Sequence, residues 1–293
     1  MKSKARLLEI VEKYAVEPYK SALMKEIQPS IRLKTTGEPC TETGQTKLGG
    51  CPDLPRTIGW PTSNYDGRHL SFLGQVNLGA VRKFDEPGLL PPRGILYFFF
   101  NPNSGDDGKV IFSREETALE RASPPDDLQE EKKSFWKRLL TGKNKKRMLK
   151  ESRVEISTEY DLPSADSLRL EKIHQETRTD VKPAHAFKEG IFEDMYDEGE
   201  SETSSNHHLT GHYKGIQNEF HELNCLGSGF SETGQLTMED INAALQWKLL
   251  FQFDSDNNLE FSFADWGRIY FFIHEDDLKK QNFDSVKISA DCY

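Results

Sequence analysis

The chain has 293 residues, a formal net charge of -10, 35% hydrophobic residues and 29% charged residues. This composition excludes a collagen-like repeat, a long coiled coil and a fully disordered chain, since aromatic residues make up 11% of it. The low hydrophobic fraction indicates that part of the chain lies outside the core, and the acidic balance disfavours nucleic acid as a partner.

The N-terminal stretch and the cysteines predict a cytoplasmic protein. MKSKARLLEIVEKY is basic but has no apolar run of signal-peptide length, and no apolar run approaches the roughly 18 residues of a transmembrane helix. Four cysteines (Cys40, Cys51, Cys225 and Cys292) stand without CxxC spacing. This spacing argues against a zinc site and a disulfide framework and favours reduced thiols.

Two short helices are predicted over residues 3–27. Leu7, Leu8 and Val11 repeat at helical spacing, Pro18 can begin a second helix, and Pro29 ends the segment. From residue 31 to residue 61 the chain is rich in Gly, Pro and Thr, which predicts extended chain and loops.

Apolar and aromatic runs predict the strands that follow. They are bounded by Gly, Pro or Asn, as buried strands are. In chain order the predicted strands cover residues 70–78, 94–100, 154–156, 247–253, 269–273 and 286–288.

An internal repeat relates two of these strand pairs. SFLGQVN (71–77) aligns with KLLFQFD (248–254) at an offset of 177, which places Gln75 on Gln252 and Gly50 on Gly227. Residues 94–99 align with 267–272 at an offset of 173. The predicted fold is therefore α+β: a β-rich single unit built from two related strand-containing repeats, at approximately 47–100 and 224–273, with N-terminal helices.

Two charged segments interrupt this pattern. Residues 126–150 carry nine bases, four acids and an aromatic face of helical spacing. They can form an exposed helix docked through that face, or a basic amphipathic helix for a membrane surface or an acidic partner. Residues 189–206 carry seven acids and no base, which predicts a mobile loop.

Polar residues within the repeated strands are the candidate ligand-binding groups. Gln75, Asn77, Gln252, Asp254 and Asp256 interrupt or end apolar strands. A buried amide must be hydrogen-bonded, so each Gln either fastens a neighbouring loop or supplies a polar handle in a pocket between the repeats.

Asp254, Asp256 and Asn258 also form a calcium candidate. They occupy positions 1, 3 and 5 of a possible calcium loop, but Leu259 stands where the loop needs Gly, and the flanks are strand-like. The alternative is an Asx-rich turn between two strands.

No short catalytic motif is present, since GxSxG, a Walker-type loop, GxGxxG after a strand and HExxH are all missing.

Four histidines cluster at His207, His208, His212 and His221, with i, i+4 spacing between His208 and His212. Their Ser-, Asn- and Gly-rich setting predicts a polar surface loop rather than a metal site. No catalytic residue, cofactor or firm metal ligand is therefore assigned.

Several segments resemble the YwqG-like family, a domain of unknown function. They run in order along the chain: KLGGCPDLP (47–55), LSFLGQVNL (70–78), LLPPRGILYFFF (89–100), WKLLFQFDSD (247–256) and ADWGRIYFFIHEDDL (264–278). The resemblance implies one mixed α/β, β-rich domain over residues 1–293 and a cytoplasmic bacterial setting. It brings no activity, cofactor or catalytic residue.

The sequence thus favours a non-enzymatic binding or interaction module with a protein partner, and an immunity-like or regulatory role is one form of it. The alternative is a small-ligand-binding protein or enzyme with a site between the repeats. Oligomeric state stays open.

Overall fold

A computed structural model describes residues 3–15, 17–129, 148–164, 167–177, 194, 205–217, 220–227 and 236–293. Within these ranges the helices are α1 (Lys4–Tyr14), α2 (Tyr19–Lys25), α3 (Leu78–Val81), α4 (Leu168–Thr177), α5 (His221–Asn224), α6 (Met238–Ala244) and α7 (Glu275–Lys280). Short 3-10 turns cover Arg82–Phe84, Asn257–Leu259 and Phe283–Ser285.

Ten strands form one antiparallel sheet, in the order β12-β11-β10-β9-β1-β8-β2-β4-β5-β6, and β3 pairs with β7 separately. The strands are β1 (Gln28–Thr35), β2 (Lys47–Leu48), β3 (Asp53–Pro55), β4 (Ser71–Asn77), β5 (Ile95–Phe100), β6 (Gly108–Ser113), β7 (Leu119–Arg121), β8 (Ser152–Asp161), β9 (His208–Leu209), β10 (Trp247–Asp254), β11 (Arg268–His274) and β12 (Lys287–Asp291).

The strand order reads as two sets of five that meet at β1 and β8. We call β8, β2, β4, β5 and β6 the first strand set, and β1, β9, β10, β11 and β12 the second strand set. In the first set Gln75 faces Lys47 and Tyr97, and in the second Gln252 faces His208 and Tyr270. The register shifts between Phe72 and Gly74 in one set and between Leu249 and Phe251 in the other. In both sets a buried glutamine thus faces a residue of a two-residue strand on one side and a tyrosine on the other.

The main core lies between the two strand sets. Phe98 of β5 packs on Phe251 of β10 and Phe271 of β11, with ring centroids 4.5 Å and 5.2 Å apart. All six residues of β5 are buried, because the sheet is covered on both faces there. On the other face Tyr97 and Phe99 belong to a second cluster with Leu54 and Phe72.

The N-terminal helices close one side of the sheet. The Ser3 side chain caps α1 by accepting from the Arg6 amide, and Leu7, Ile10 and Val11 form the buried face. These side chains pack in one cluster with α2, α4 and the residues around Leu162. The described helices include none that is long and apolar enough to cross a membrane.

The two end strands of the sheet approach each other, so that the sheet nearly closes. Phe112 of β6 packs against Phe283, 5.1 Å between centroids, and Gly108 lies directly against Ile288 of β12. We call this junction the seam. It joins the far ends of the two strand sets, opposite the β1–β8 pair.

The structure confirms the two N-terminal helices and the six predicted strands, with bounds that differ by a few residues. The strand predicted over 154–156 lies in the first half of the longer strand β8. The 31–61 segment differs more, because it contains most of β1 together with β2 and β3 instead of only loops. The segments 126–150 and 189–206 lie largely outside the described residues.

Candidate functional site

Gln75 lies fully buried in β4, and both polar atoms of its side chain form hydrogen bonds with a neighbouring loop segment. Its Oε1 accepts from the Asp53 amide at 2.8 Å, and its Nε2 donates to the Asp53 carboxylate and the Gln45 carbonyl, both at 2.9 Å. The amide is thus satisfied by protein groups, as a buried amide must be. Gln75 fastens the 45–53 segment to the sheet.

A buried ionic cluster surrounds Asp53. Lys47 Nζ lies 3.4 Å from Asp53 Oδ1 and 2.9 Å from Glu151 Oε2, and Arg121 Nε lies 2.9 Å from Asp53 Oδ1. Burial by itself would raise the pKa of Asp53, but hydrogen bonds from Arg121 and the Gly44 amide hold it below its usual range. Sequence reasoning missed this cluster, although KLGGCPDLP contains two of its members.

Asn77 ends β4 and caps α3. Its Oδ1 accepts from the Ala80 amide at 3.1 Å, and its Nδ2 donates to the Gly44 carbonyl at 3.1 Å. This is the role of an N-cap residue. Asn77 also lines one of the grooves described below.

Gln252 in β10 has a closely related arrangement. Its Oε1 accepts from the Lys214 amide at 2.8 Å, and its Nε2 donates to Asp254 Oδ1 at 2.8 Å. Asp254 Oδ2 accepts from the Asn206 amide at 2.8 Å and from Arg268 Nε at 3.2 Å. These residues fasten the 206–214 segment to the second strand set.

Asp256 is held by hydrogen bonds from three side chains. Its Oδ2 accepts from Thr35 at 2.7 Å, from Ser205 at 2.9 Å and from His207 Nε2 at 3.0 Å. His207 Nδ1 accepts from the Asp254 amide at 3.1 Å, which places a ring proton on Nε2. Burial would raise the pKa of Asp256, but the hydrogen bonds from His207 and Thr35 hold it well below its usual range.

The calcium candidate occupies an Asx turn. Asp256 Oδ1 accepts from the Asn258 amide at 2.6 Å, and Asn258 Nδ2 donates to Thr35 Oγ1 at 3.0 Å. This turn connects β10 to β11, as the alternative interpretation predicts. Among the described residues, no group of three or more His, Cys, Asp and Glu side chains could hold a metal ion. A calcium site here stays a prediction.

The polar surface loop predicted for the histidines is wrong, since His207, His208, His212 and His221 are all buried. His212 Nε2 donates to the Glu26 carbonyl at 2.7 Å, and burial lowers the pKa of His212 to about 3. The polar neighbours in the sequence misled the prediction, because interior carbonyls and carboxylates bond the imidazole nitrogens.

His221 connects two residues of the last strand, another cluster that sequence reasoning missed. Its Nδ1 lies 2.8 Å from Ser289 Oγ and its Nε2 lies 3.0 Å from Asp291 Oδ2, while Tyr270 donates to Asp291 Oδ1 at 2.7 Å. The order Ser–His–Asp is that of a hydrolase triad. However, Ser289 is only 8% exposed and lines neither groove described below, so the contacts join α5 to β12.

A groove of the described surface lies at the seam, and we call it the seam groove. Its volume is about 420 Å³. β6 contributes residues from both of its faces, since Ile111 belongs to one cluster and Val110 to the other. The edge of β6 that pairs with no other described strand therefore forms part of the groove wall. The lining comprises Thr57, Ile58, Gly59, Pro61 and residues 109–112 and 281–284.

A second groove of about 350 Å³, which we call the side groove, lies beside β2, β4 and β8. Asn77 is the only one of the five predicted ligand-binding residues that lines either groove; the other four are buried and hydrogen-bonded within the protein. The side groove is lined by residues 42–46, Asn77, Ala80 and residues 153, 154 and 156.

Residues 46–292 match the sequence model of a family described as Domain of unknown function (DUF1963). The match begins just before β2 and includes all the later strands. No curated protein matches the chain.

Proposed function

The chain belongs to the DUF1963 family, a domain of unknown function, and on that premise we propose that it is a non-enzymatic binding module that docks a protein partner in the seam groove. One observation carries this proposal. The seam groove lies where the far ends of the two strand sets approach each other, and it contains the edge of β6, which pairs with no strand on that side among the described residues, beside apolar side chains.

The lining of the seam groove suits an extended segment of a partner protein. β6 is an end strand, so every second residue directs its amide and carbonyl away from β5. Such an edge can pair with an added strand, while Ile58, Phe112 and Phe283 offer apolar surface to its side chains. Lys109 and Asp284 add one charge of each sign for orientation.

Gly59→Trp tests this docking site. Gly59 lines the groove, and a Cβ added there meets no described atom within 4 Å, so the backbone has room for a large side chain at the groove wall. The tagged protein is crosslinked in its native cell, and its partners are identified by mass spectrometry. We expect Gly59→Trp to lose at least one partner that the unmodified chain captures reproducibly.

Gly105→Trp is the matched control. Gly105 also has open space around its Cβ position, and it lies outside the seam groove. Both variants should unfold at the temperature of the unmodified protein. The proposal fails if the unmodified chain captures no reproducible partner, or if Gly59→Trp retains every partner that Gly105→Trp retains.

A small-molecule site in the same groove is the second candidate, whether the protein then acts as a ligand binder or as an enzyme. The groove volume falls within the range of small-molecule pockets, about 300–1,000 Å³. Its position between the two strand sets agrees with the expected location of such a site. A change in unfolding temperature on ligand screening that Gly59→Trp abolishes would favour this candidate.

We further propose that the two strand sets arose from the two repeats at approximately 47–100 and 224–273. The shared facing of Gln75 with Tyr97 and of Gln252 with Tyr270 supports this origin, as do the matching register shifts. The YwqG-like assignment, a single cytoplasmic domain over 1–293, the charged inserts at 126–150 and 189–206, and an immunity-like or regulatory role are part of the same proposal.

A further inference from the structure

Two arginines occupy corresponding positions in the two strand sets. Arg153 of β8 faces Lys47, which faces Gln75, and Arg32 of β1 faces His208, which faces Gln252. Arg153 in the first set thus corresponds to Arg32 in the second. By the same pairing, Gln45 corresponds to Asn206, since each stands two residues before the facing strand residue.

In the second strand set the guanidinium turns inward. Arg32 is buried, and its Nη1 donates to Asn206 Oδ1 at 2.7 Å and to the His207 carbonyl at 3.3 Å. Its Nη2 donates to the Ser205 carbonyl. The space between the strand and the 205–207 segment is therefore filled by the protein's own cation.

In the first strand set the corresponding arginine turns outward. Arg153 Nη2 lies 2.9 Å from Glu38 Oε2, and its side chain is 44% exposed. Gln45 Oε1, the counterpart of the Asn206 oxygen that Arg32 contacts, is buried and has no hydrogen-bond partner among the residues that the structure describes. The side groove opens at this place and is lined by both Gln45 and Arg153.

We propose that the side groove binds a guanidinium cation supplied from outside the chain. In this complex the Gln45 amide, whose Nε2 donates to Glu42 Oε2 at 3.3 Å in the free protein, turns towards the groove, and its Oε1 accepts from the ligand as Asn206 Oδ1 does from Arg32. The carboxylate of Glu42 lines the same groove and supplies a negative charge, while Glu38 neutralises Arg153. This site shares no residue with the seam groove, so it is independent of the proposed docking of a partner there.

Isothermal titration calorimetry at constant ionic strength tests the proposal with two probes. Methylguanidinium presents the cation alone, and an acetylated, amidated Gly-Arg-Gly peptide presents it on a chain. We expect both to bind and neutral urea not to bind. Tighter binding of the peptide supports a protein-borne arginine as the natural ligand, and equal binding supports a small molecule.

Variants assign the binding to the side groove. Gln45→Leu and Glu42→Gln should each weaken methylguanidinium binding at least tenfold. Glu38→Gln should also weaken it, because Arg153 is then released and competes for Gln45. Glu155→Gln, an exposed carboxylate of β8 outside the groove, is the matched control and should bind as the unmodified protein does.

Thermal unfolding of each variant verifies that it is folded before titration. The proposal is overturned if the unmodified protein does not bind methylguanidinium. It is also overturned if folded Gln45→Leu and Glu42→Gln bind it as tightly as Glu155→Gln does.

Discussion

At the scale of single residues, Glu222 and Tyr213 carry buried polar atoms that lack hydrogen bonds. Glu222 Oε2 and the Tyr213 hydroxyl are buried, and neither has a hydrogen-bond partner of good geometry among the described residues. Burial raises the pKa of Glu222, with Tyr213 and Arg169 acting in the opposite direction. The folded protein therefore favours the neutral carboxyl of Glu222, and ionisation of this carboxyl destabilises the fold.

Glu222→Gln should stabilise the protein at neutral and alkaline pH. A raised pKa means that the contribution of neutral Glu222 is complete below the unfolded pKa, near 4.5, and is lost as pH rises through the folded pKa. Glutamine has nearly the same shape and does not ionise. We expect a gain of about 1–3 kcal/mol at pH 8, measured by urea unfolding.

The gain from Glu222→Gln should shrink as the pH is lowered and be lost below about 4.5, because the carboxyl is then neutral in both folded and unfolded chains. The comparison of two proteins at each pH removes the effect of the buried histidines, which both contain. A difference independent of pH would show that ionisation of Glu222 is not its cause.

At the scale of elements, the two strand sets differ in the residues that face their short strands, β2 and β9. Leu48 of β2 faces Gly74 of β4, and Leu209 of β9 faces Phe251 of β10. A Cβ on Gly74 would lie 2.6 Å from Leu48 Cδ2 and 2.8 Å from the Lys47 carbonyl oxygen. Glycine at position 74 therefore allows β2 to approach β4 closely.

Gly74→Ala should destabilise the protein by about 1–3 kcal/mol, the usual cost of overpacking a core. The contact with a backbone oxygen cannot be relieved by turning a side chain. Gly105→Ala, where the space is open, should change stability by less than about 0.5 kcal/mol. Equal unfolding midpoints in denaturant for the two variants would contradict this account.

The strands that the sequence predicts well are those with continuous apolar runs. β5 and β11 are buried on both faces, so their uninterrupted apolar runs and aromatic content identify them without tertiary information. β2 and β9 have two residues each and include Lys47 and His208, and such short strands carry no periodicity. Only the long-range pairing with their neighbours makes them strands.

The residues of the candidate site also differ in whether they can be recognised from the sequence. Gln75 and Gln252 could be recognised from the sequence, because an amide within an apolar strand must find partners. Their partners, Asp53 and Lys214, lie in loops whose return to the sheet has no local signal. The unpartnered Gln45 oxygen depends on where Arg153 turns, which is a property of the folded side chains alone.

At the scale of the whole molecule, β1 is the strand on which the sheet depends. It pairs with β8 along all eight of its residues and with β9 on its other side. It nevertheless lies before residue 46, where the family match begins. The family span therefore leaves out the strand that joins its two halves.

Removal of residues 1–45 should prevent cooperative folding, since it separates β8 from β9 and exposes both edges. A chain without residues 1–27 should retain the sheet but be less stable, because it lacks α1, α2 and the side chains that they contribute to their apolar cluster. Circular dichroism with thermal unfolding distinguishes these outcomes. A cooperative transition for 46–293 at the temperature of the full chain would show that β1 is dispensable.

The strand order also determines when the molecule can be completed during synthesis. During synthesis β1 is made first but belongs to the second strand set, whereas β8 is made midway and completes the first strand set. Once β8 has paired, the other edge of β1 has no partner until His208 and Leu209 follow. Unpaired edges invite association with other chains. The nascent chain thus passes through a stage in which this edge of β1 is open, and only the last third of the chain can cover it.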